Sequence, residues 1–174
     1  HSGGQANSSA GDGKLSTLPP DTQPPDQYIY DPHDPTPSAA FANGHIDGPR
    51  DISQSAARRD VLVYDTPELT EDVEIVGPIT ARLFAATSGR DTDWMIRLVD
   101  VHPDGRALFL GEGVMRARHR DPQRSGAFDP NKLSTIEPVW SWNVRNLLVK
   151  SDTGLDDLRP AIALMFPVEA PPGL

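Results

Sequence analysis

At 174 residues, with a net charge of −9 and no cysteine, the chain excludes several chemistries at once. A pI near 4.9 argues against binding a phosphate backbone, which needs clustered Lys and Arg. The missing thiols remove disulfides, thiol nucleophiles and Cys-ligated zinc. A mean hydropathy of −0.45 suits a soluble protein, no apolar run approaches the ~18 residues of a membrane span, and the start shows no basic-then-apolar signal segment.

The length suffices for one domain with its own core. Because the first residue is His1 and not Met, a fragment, or a processed or trimmed product, is expected. Residues 1–55 read as an extended Pro/Gly-rich entry segment, marked by Gly3-Gly4, Gly11-Asp12-Gly13, Pro19-Pro20 and Pro24-Pro25. Such density of Pro and Gly disfavours a helix or a central strand. The segment is expected to be loop, packed on something larger or partly mobile. Tyr28-Ile29-Tyr30 is a short exception suited to a sheet edge, and the prolines of Asp31-Pro32-His33-Asp34-Pro35-Thr36-Pro37 keep that stretch extended or turned.

Residues 56–138 change to strand after strand. Val61-Leu62-Val63-Tyr64 comes first, then Val73-Glu74-Ile75-Val76, broken by Gly77-Pro78. Ile79, Ala81, Leu83 and Ala85 then alternate with Thr80, Arg82, Phe84 and Ala86. The strongest local signal is the stretch from Asp91 to Leu110. Trp94, Ile96 and Leu98 alternate with Met95, Arg97, Val99 and Val101, the period of two that a pleated strand imposes when one face of a sheet meets a core. Pro103-Asp104-Gly105 is turn chemistry, and Arg106-Ala107-Leu108-Phe109-Leu110 is the returning strand of a hairpin. A further strand is expected over Gly113–Arg120. Short strands between turns, with no clear helical stretch, predict an all-β fold, a jelly-roll β-sandwich.

Residues 139–174 break the pattern and read as a divergent tail. Ala161-Ile162-Ala163-Leu164-Met165-Phe166 is apolar throughout and suits a buried strand or a short helical turn.

Several constellations invite a functional reading, and each has a plainer one. A Ser-His-Asp triad needs a nucleophile on a strained elbow such as G-x-S-x-G, which is absent; His1-Ser2-Gly3-Gly4 has the glycines but no preceding strand. Asp91 and Asp93 sit at i and i+2, as paired carboxylates of a glycosidase would, yet Asp at a strand start commonly binds local backbone N–H groups. The pair offers too few oxygens for calcium. The five histidines are scattered without metal-site spacing. Arg116, Arg118 and Arg120 alternate, as on one strand face, and a solvated face accounts for them. Trp94, Trp140 and Trp142 are candidates for a sugar-binding platform, although Trp on a strand more often belongs to the core. No catalytic, cofactor-binding or metal-binding residue is therefore assigned.

The wording of several collinear segments is more specific than their periodicity. His1–Ser8 with Gly11–Ser16, Tyr30-Asp31-Pro32-His33-Asp34-Pro35-Thr36-Pro37, Arg59-Asp60-Val61-Leu62-Val63-Tyr64 and Val76–Ala81 precede the Asp91–Gly105 hairpin and Gly111–Arg118. Together they resemble the C-terminal jelly-roll (galactose-binding-like) domain of the CocE/NonD family of serine hydrolases, which joins cocaine esterase with the X-prolyl dipeptidyl aminopeptidases. The resemblance implies a bacterial parent enzyme of dipeptidyl-peptidase or esterase type whose triad lies in a preceding α/β-hydrolase domain. It implies that this chain is non-catalytic, carries no cofactor, packs on that domain and shapes its substrate entrance. Homo-oligomer contacts are a further expectation, while nucleic acid and membrane are not expected partners. Beyond about Pro138 the family's wording is lost, which suggests a reading-frame shift or divergence there and a sandwich incomplete at its C-terminal end. The alternative is a free-standing carbohydrate- or protein-binding β-sandwich.

Overall fold

β-Branched and aliphatic residues crowd the segments that become strands, and Gly, Pro and Asp mark the breaks between them. The computed structural model describes residues 1–37, 50–89 and 91–120 in full, and the backbone of three later strands. The strands are β1 (Leu62–Asp65), β2 (Val73–Gly77), β3 (Leu83–Ala85), β4 (Asp93–Val101), β5 (Ala107–Arg116), β6 (Ser134–Ile136), β7 (Val144–Val149) and β8 (Ala161–Phe166). Among the described residues the only helical pieces are 3₁₀ turns at Ser53–Ala57 and Ala117–His119. The fold is all-β, as expected.

A four-stranded antiparallel sheet runs in the order β1-β8-β4-β5, and the pairs β2-β7 and β3-β6 form two further ladders. The apolar run Ala161–Phe166 is thus a strand, set between β1 and β4 with Leu62 opposite Phe166 and Arg97 opposite Met165. Both β7 and β8 come from beyond residue 138. Trp140 and Trp142 lie outside the described residues.

The β4–β5 hairpin turns where Pro103-Asp104-Gly105 predicted. His102 N–H donates to Arg106 O at 2.8 Å, Gly105 N–H to His102 O at 2.9 Å, and Gly105 takes φ +87°. The returning strand is longer than the sequence suggested. The stretch from Ala107 to Arg116 is one strand because a bulge absorbs Leu110: Leu98 faces Gly111 while Val99 faces Phe109. The extra residue bends the strand without ending it.

Strand β4 of the large sheet is buried on both faces, not on one. Ile96 and Leu98 pack with Leu62, Ala6, Ile75, Ile79, Ala81 and Leu83, whereas Val99 packs with Val61, Val63, Ala107, Ile52 and Ala56. Trp94 forms a third cluster with Ala85 and Ala117. Every residue of β4 from Trp94 to Val99 is therefore buried. Two irregular segments make this possible by covering the sheet edges. On β1, Val63 N–H donates to Ala6 O at 2.8 Å, Asp65 N–H to Gly13 O at 3.2 Å, and Leu15 N–H to Asp65 O at 2.8 Å. On β5, Phe109 N–H donates to Arg50 O at 2.7 Å, and Ile52 N–H to Ala107 O at 2.8 Å. An edge strand left bare is a template for unwanted pairing, and covering it with loop is one way to prevent that. The entry segment finds its packing partner within this chain.

Candidate functional site

The richest concentration of polar chemistry lies where the entry segment meets β1. Gly, Ser and Asp there cannot form a ladder of their own, so side chains take over the bonding of the backbone. Asp12 Oδ2 accepts from Gly3 N–H at 2.8 Å and Oδ1 from Gln5 N–H at 3.1 Å. Asp26 Oδ1 accepts from Ala6 N–H at 2.9 Å and Oδ2 from the Tyr64 hydroxyl at 2.6 Å. The Ser2 hydroxyl lies 2.7 Å from Asp12 Oδ1 and 2.7 Å from Asp26 Oδ1, and accepts from Gly4 N–H at 2.9 Å. Asn7 Nδ2 donates to Gln27 O and Arg59 O. The Ser2 hydroxyl and the Gly3 and Gln5 N–H groups hold the Asp12 carboxyl below its ordinary range. Burial, then the bond to Asp26, raises the Tyr64 phenol.

A second cluster joins the Tyr30–Pro37 and Arg59–Tyr64 segments. Arg58 grips Asp60 with two bonds, Nε to Oδ1 and Nη2 to Oδ2, each 2.8 Å. The same guanidinium reaches Asp34 O at 2.7 Å and Asp34 Oδ1 at 3.2 Å. The buried Thr36 hydroxyl donates to Asp60 Oδ2 at 3.1 Å. Burial alone would raise the Asp60 carboxyl, but the Arg58 fork and Thr36 outweigh it and the net shift is downward. A fork of this kind fixes orientation as well as charge. Between the clusters lies an open groove of ≈ 770 Å³ lined by Asn7, Gln27, Tyr28, Ile29, Asp31, Asp34 and Arg58–Asp60.

Of the residues singled out from the sequence, Asp91, Asp93, Arg116, Arg118, Arg120, Trp94 and Ser2 are described, and each is held by neighbours in the fold. Asp93 receives Arg116 in a fork of 2.7 and 2.8 Å, and Asp91 binds the side chain and backbone N–H of Arg118. The alternating arginines do not share a strand face, because β5 ends at Arg116 and the chain turns at Ala117–His119. Arg120 Nη1 donates to Ala117 O at 3.0 Å. Trp94 is buried, edge-on to Tyr28 with ring centroids 6.4 Å apart, so it is core and not an exposed platform. The Ser2 hydroxyl is bonded to carboxylates, and among the described residues no His hydrogen-bonds to it.

One buried charge and one half-buried pair escaped sequence reasoning. Arg97, 0% exposed, donates from Nε to Glu112 at 2.9 Å, while its Nη1 and Nη2 are buried without a hydrogen-bond partner. A charged residue inside an apolar alternation was the available signal, and the register that sets Arg97 opposite Glu112 supplies the partner. Asp100 and His102 close the end of β4, with His102 Nε2 3.4 Å from Asp100 Oδ2. Burial raises the Asp100 carboxyl, with His102 opposing. Among the described residues no three His, Asp or Glu side chains gather as a metal site would need.

The fold and these clusters define an all-β domain whose polar side chains serve its architecture. A family model described as the X-Pro dipeptidyl-peptidase C-terminal non-catalytic domain matches residues 2–171, and the chain belongs to that family. It is thus a non-catalytic C-terminal domain of a hydrolase family of peptidase and esterase type. Cocaine esterase of Rhodococcus sp. (strain MB1 Bresler) is 48% identical over 122 residues, covering 68% of this chain and 21% of that protein. The crystal structure of an aminopeptidase from the marine sediment archaeon Thaumarchaeota archaeon superposes with a TM-score of 0.72 at 26% identity, over 97% of this chain and 29% of that one. An α-amino acid ester hydrolase shares the fold, with a TM-score of 0.60 at 23% identity, over 71% of this chain and 20% of that one. The chain spans between a fifth and a third of the length of each of these relatives.

Proposed function

We propose that this chain is the accessory β-sandwich of a serine hydrolase that acts through an acyl-enzyme on esters, acyl groups or X-Pro peptides. In this reading the triad lies in a preceding α/β-hydrolase domain. The sandwich packs on that domain, shapes its substrate entrance and helps exclude water near the acyl site. The observation that carries the reading is the engagement of the catalytic-type side chains. Ser2 lies between Asp12 and Asp26, Asp91 and Asp93 are held by Arg118 and Arg116, and Asp60 is gripped by Arg58. A nucleophile needs a free, oriented base beside it, and none of these groups has one. The family match and the likeness to esterase and aminopeptidase chains support the same reading.

The test is to treat the full-length parent protein with a fluorophosphonate probe and to map the modified serine by peptide sequencing. The expected site lies outside residues 1–174. A modified serine inside them overturns the proposal.

A further inference from the structure

Strand β5 is covered along only part of its outer edge. Ala107 and Phe109 bond outward to Ile52 and Arg50, and among the described residues the cover stops there. Farther along, Ala117 N–H donates back across the hairpin to Thr92 O. The backbone groups of successive residues in an antiparallel strand point alternately to one side and the other. The N–H and C=O groups of Glu112, Val114 and Arg116 therefore point away from β4. Among the described residues no partner is found for them. A bare run of this kind accepts a further strand.

The side chains along the run select the occupant. Glu112, Val114 and Arg116 share one face, opposite Arg97, Met95 and Asp93. Val114, 53% exposed, stands between the acidic and the basic residue. Both charges keep bonding capacity. Glu112 accepts from Arg97 through Oε2, which leaves Oε1, and Arg116 grips Asp93 with Nε and Nη2, which leaves Nη1. The pattern is its own complement. Laid antiparallel on a copy of itself about a two-fold axis at Val114, the run sets Val114 against Val114 and each Glu112 against the other copy's Arg116. All of these pairs fall on outward-pointing backbone groups, so ladder bonds and side-chain pairs coincide.

We propose that two copies of this chain associate through the outer edge of β5, joining their large sheets into one continuous antiparallel sheet. The new ladder is confined to residues 112–116. At one end stand the bulge at Leu110 and the cover from residues 50–52, and at the other the 3₁₀ turn Ala117–His119. So short a ladder makes a weak, concentration-dependent dimer. The association goes beyond the accessory role proposed for the chain and does not depend on it.

A residue on a two-fold axis faces itself, and the test uses that property. Val114→Lys and Val114→Glu, at an exposed position, each set like charges directly opposite one another. In sedimentation velocity of the full-length protein, either variant alone is expected to raise the dimer dissociation constant at least about ten-fold, and an equimolar mixture of the two to restore association. Val114→Cys is the milder variant, and these 174 residues hold no other cysteine. On mild oxidation it is expected to form a 114–114 disulfide at least about ten-fold faster than Val76→Cys, on β2 and 69% exposed, forms a 76–76 disulfide. Cα atoms opposed in such a ladder lie about 5.5 Å apart, within disulfide reach. Peptide mapping identifies the linkage. Charged variants that sediment as the wild type does, a mixture that stays dissociated, or a 114–114 linkage no faster than 76–76 overturns the proposal.

Discussion

The entry segment and the β4–β5 hairpin are equally well placed in the fold and are held by opposite means. The hairpin is a ladder from Asp93 opposite Arg116 to Val101 opposite Ala107, with Trp94 to Val99 buried along it. The entry segment has no such ladder. It is held by the carboxylates of Asp12 and Asp26, by Ser2 and Asn7, and by a few backbone bonds to β1. Apolar burial is indifferent to pH and spread over many contacts, whereas carboxylate bonding is local and titrates. A domain can therefore owe its core to one set of forces and the closure of its edges to another.

The largest expected effect falls on the hairpin. Ile96→Ala removes a fully buried side chain shared with Leu62, Leu98 and Ala6 and is expected to cost about 2–5 kcal/mol in urea unfolding. A loss under about 1 kcal/mol means that this core is not the source of stability. Gly13→Ala strikes the seam between the regions. A Cβ there would stand 2.0 Å from Val63 O, a backbone atom with little room to move. The expected cost is about 1–3 kcal/mol, with amide exchange faster at Val63 and Asp65, whose N–H groups donate to the entry segment.

Asp26→Ala sharpens the contrast. It removes the acceptor of Ala6 N–H and of the Tyr64 hydroxyl, for an expected loss of about 1–3 kcal/mol. Exchange at Ala6 should rise far more than exchange at Ile96. Equal increases at both would mean that the two regions open as one unit, and their separate stabilisation would be refuted.

The smallest expected effect is that of acid. Asp12, Asp51 and Asp60 have folded-state values below the ordinary 3.8. Each contributes stability in full above 3.8, and loses it as the pH falls through the depressed value. Asp100, raised by burial, acts with the opposite sign: it favours folding below 3.8 and loses that contribution as the pH rises through its folded value. As the pH falls below 3.8, amide protection, taken relative to the intrinsic exchange rate at each pH, should fall first at Gly3 and Gln5, bonded by Asp12, and at Ser53 and Ala107, bonded by Asp51. Ile96 and Val99 should change least. A uniform loss of protection across both sets would show that the carboxylates do not latch the entry segment separately.

The hairpin was legible residue by residue because alternation and turn chemistry are local properties of the chain. Trp94, Ile96 and Leu98 share a side, and Gly105 closes the turn, before any tertiary contact is considered. The length of β5 was not legible, since a bulge at Leu110 leaves no break in the pattern. The candidate site was read by its absences: no elbow and no oriented base. That Asp91 and Asp93 serve arginines on the returning strand and the turn after it is a consequence of register, which sequence spacing does not state.

The sequence by itself determined the all-β class, the hairpin, the lack of thiol chemistry and, through its motifs, the family. These rest on short-range periodicity, composition and collinear wording, all written along the chain. Only the tertiary structure decided that a segment rich in Pro and Gly closes a sheet edge and that Arg58 binds the Tyr30–Pro37 stretch to the segment entering β1. It also decided that Arg97 lies buried opposite Glu112 and that Ile29 faces an open groove. Each of these depends on groups far apart in sequence, and their bonds exist only once the chain has brought them together.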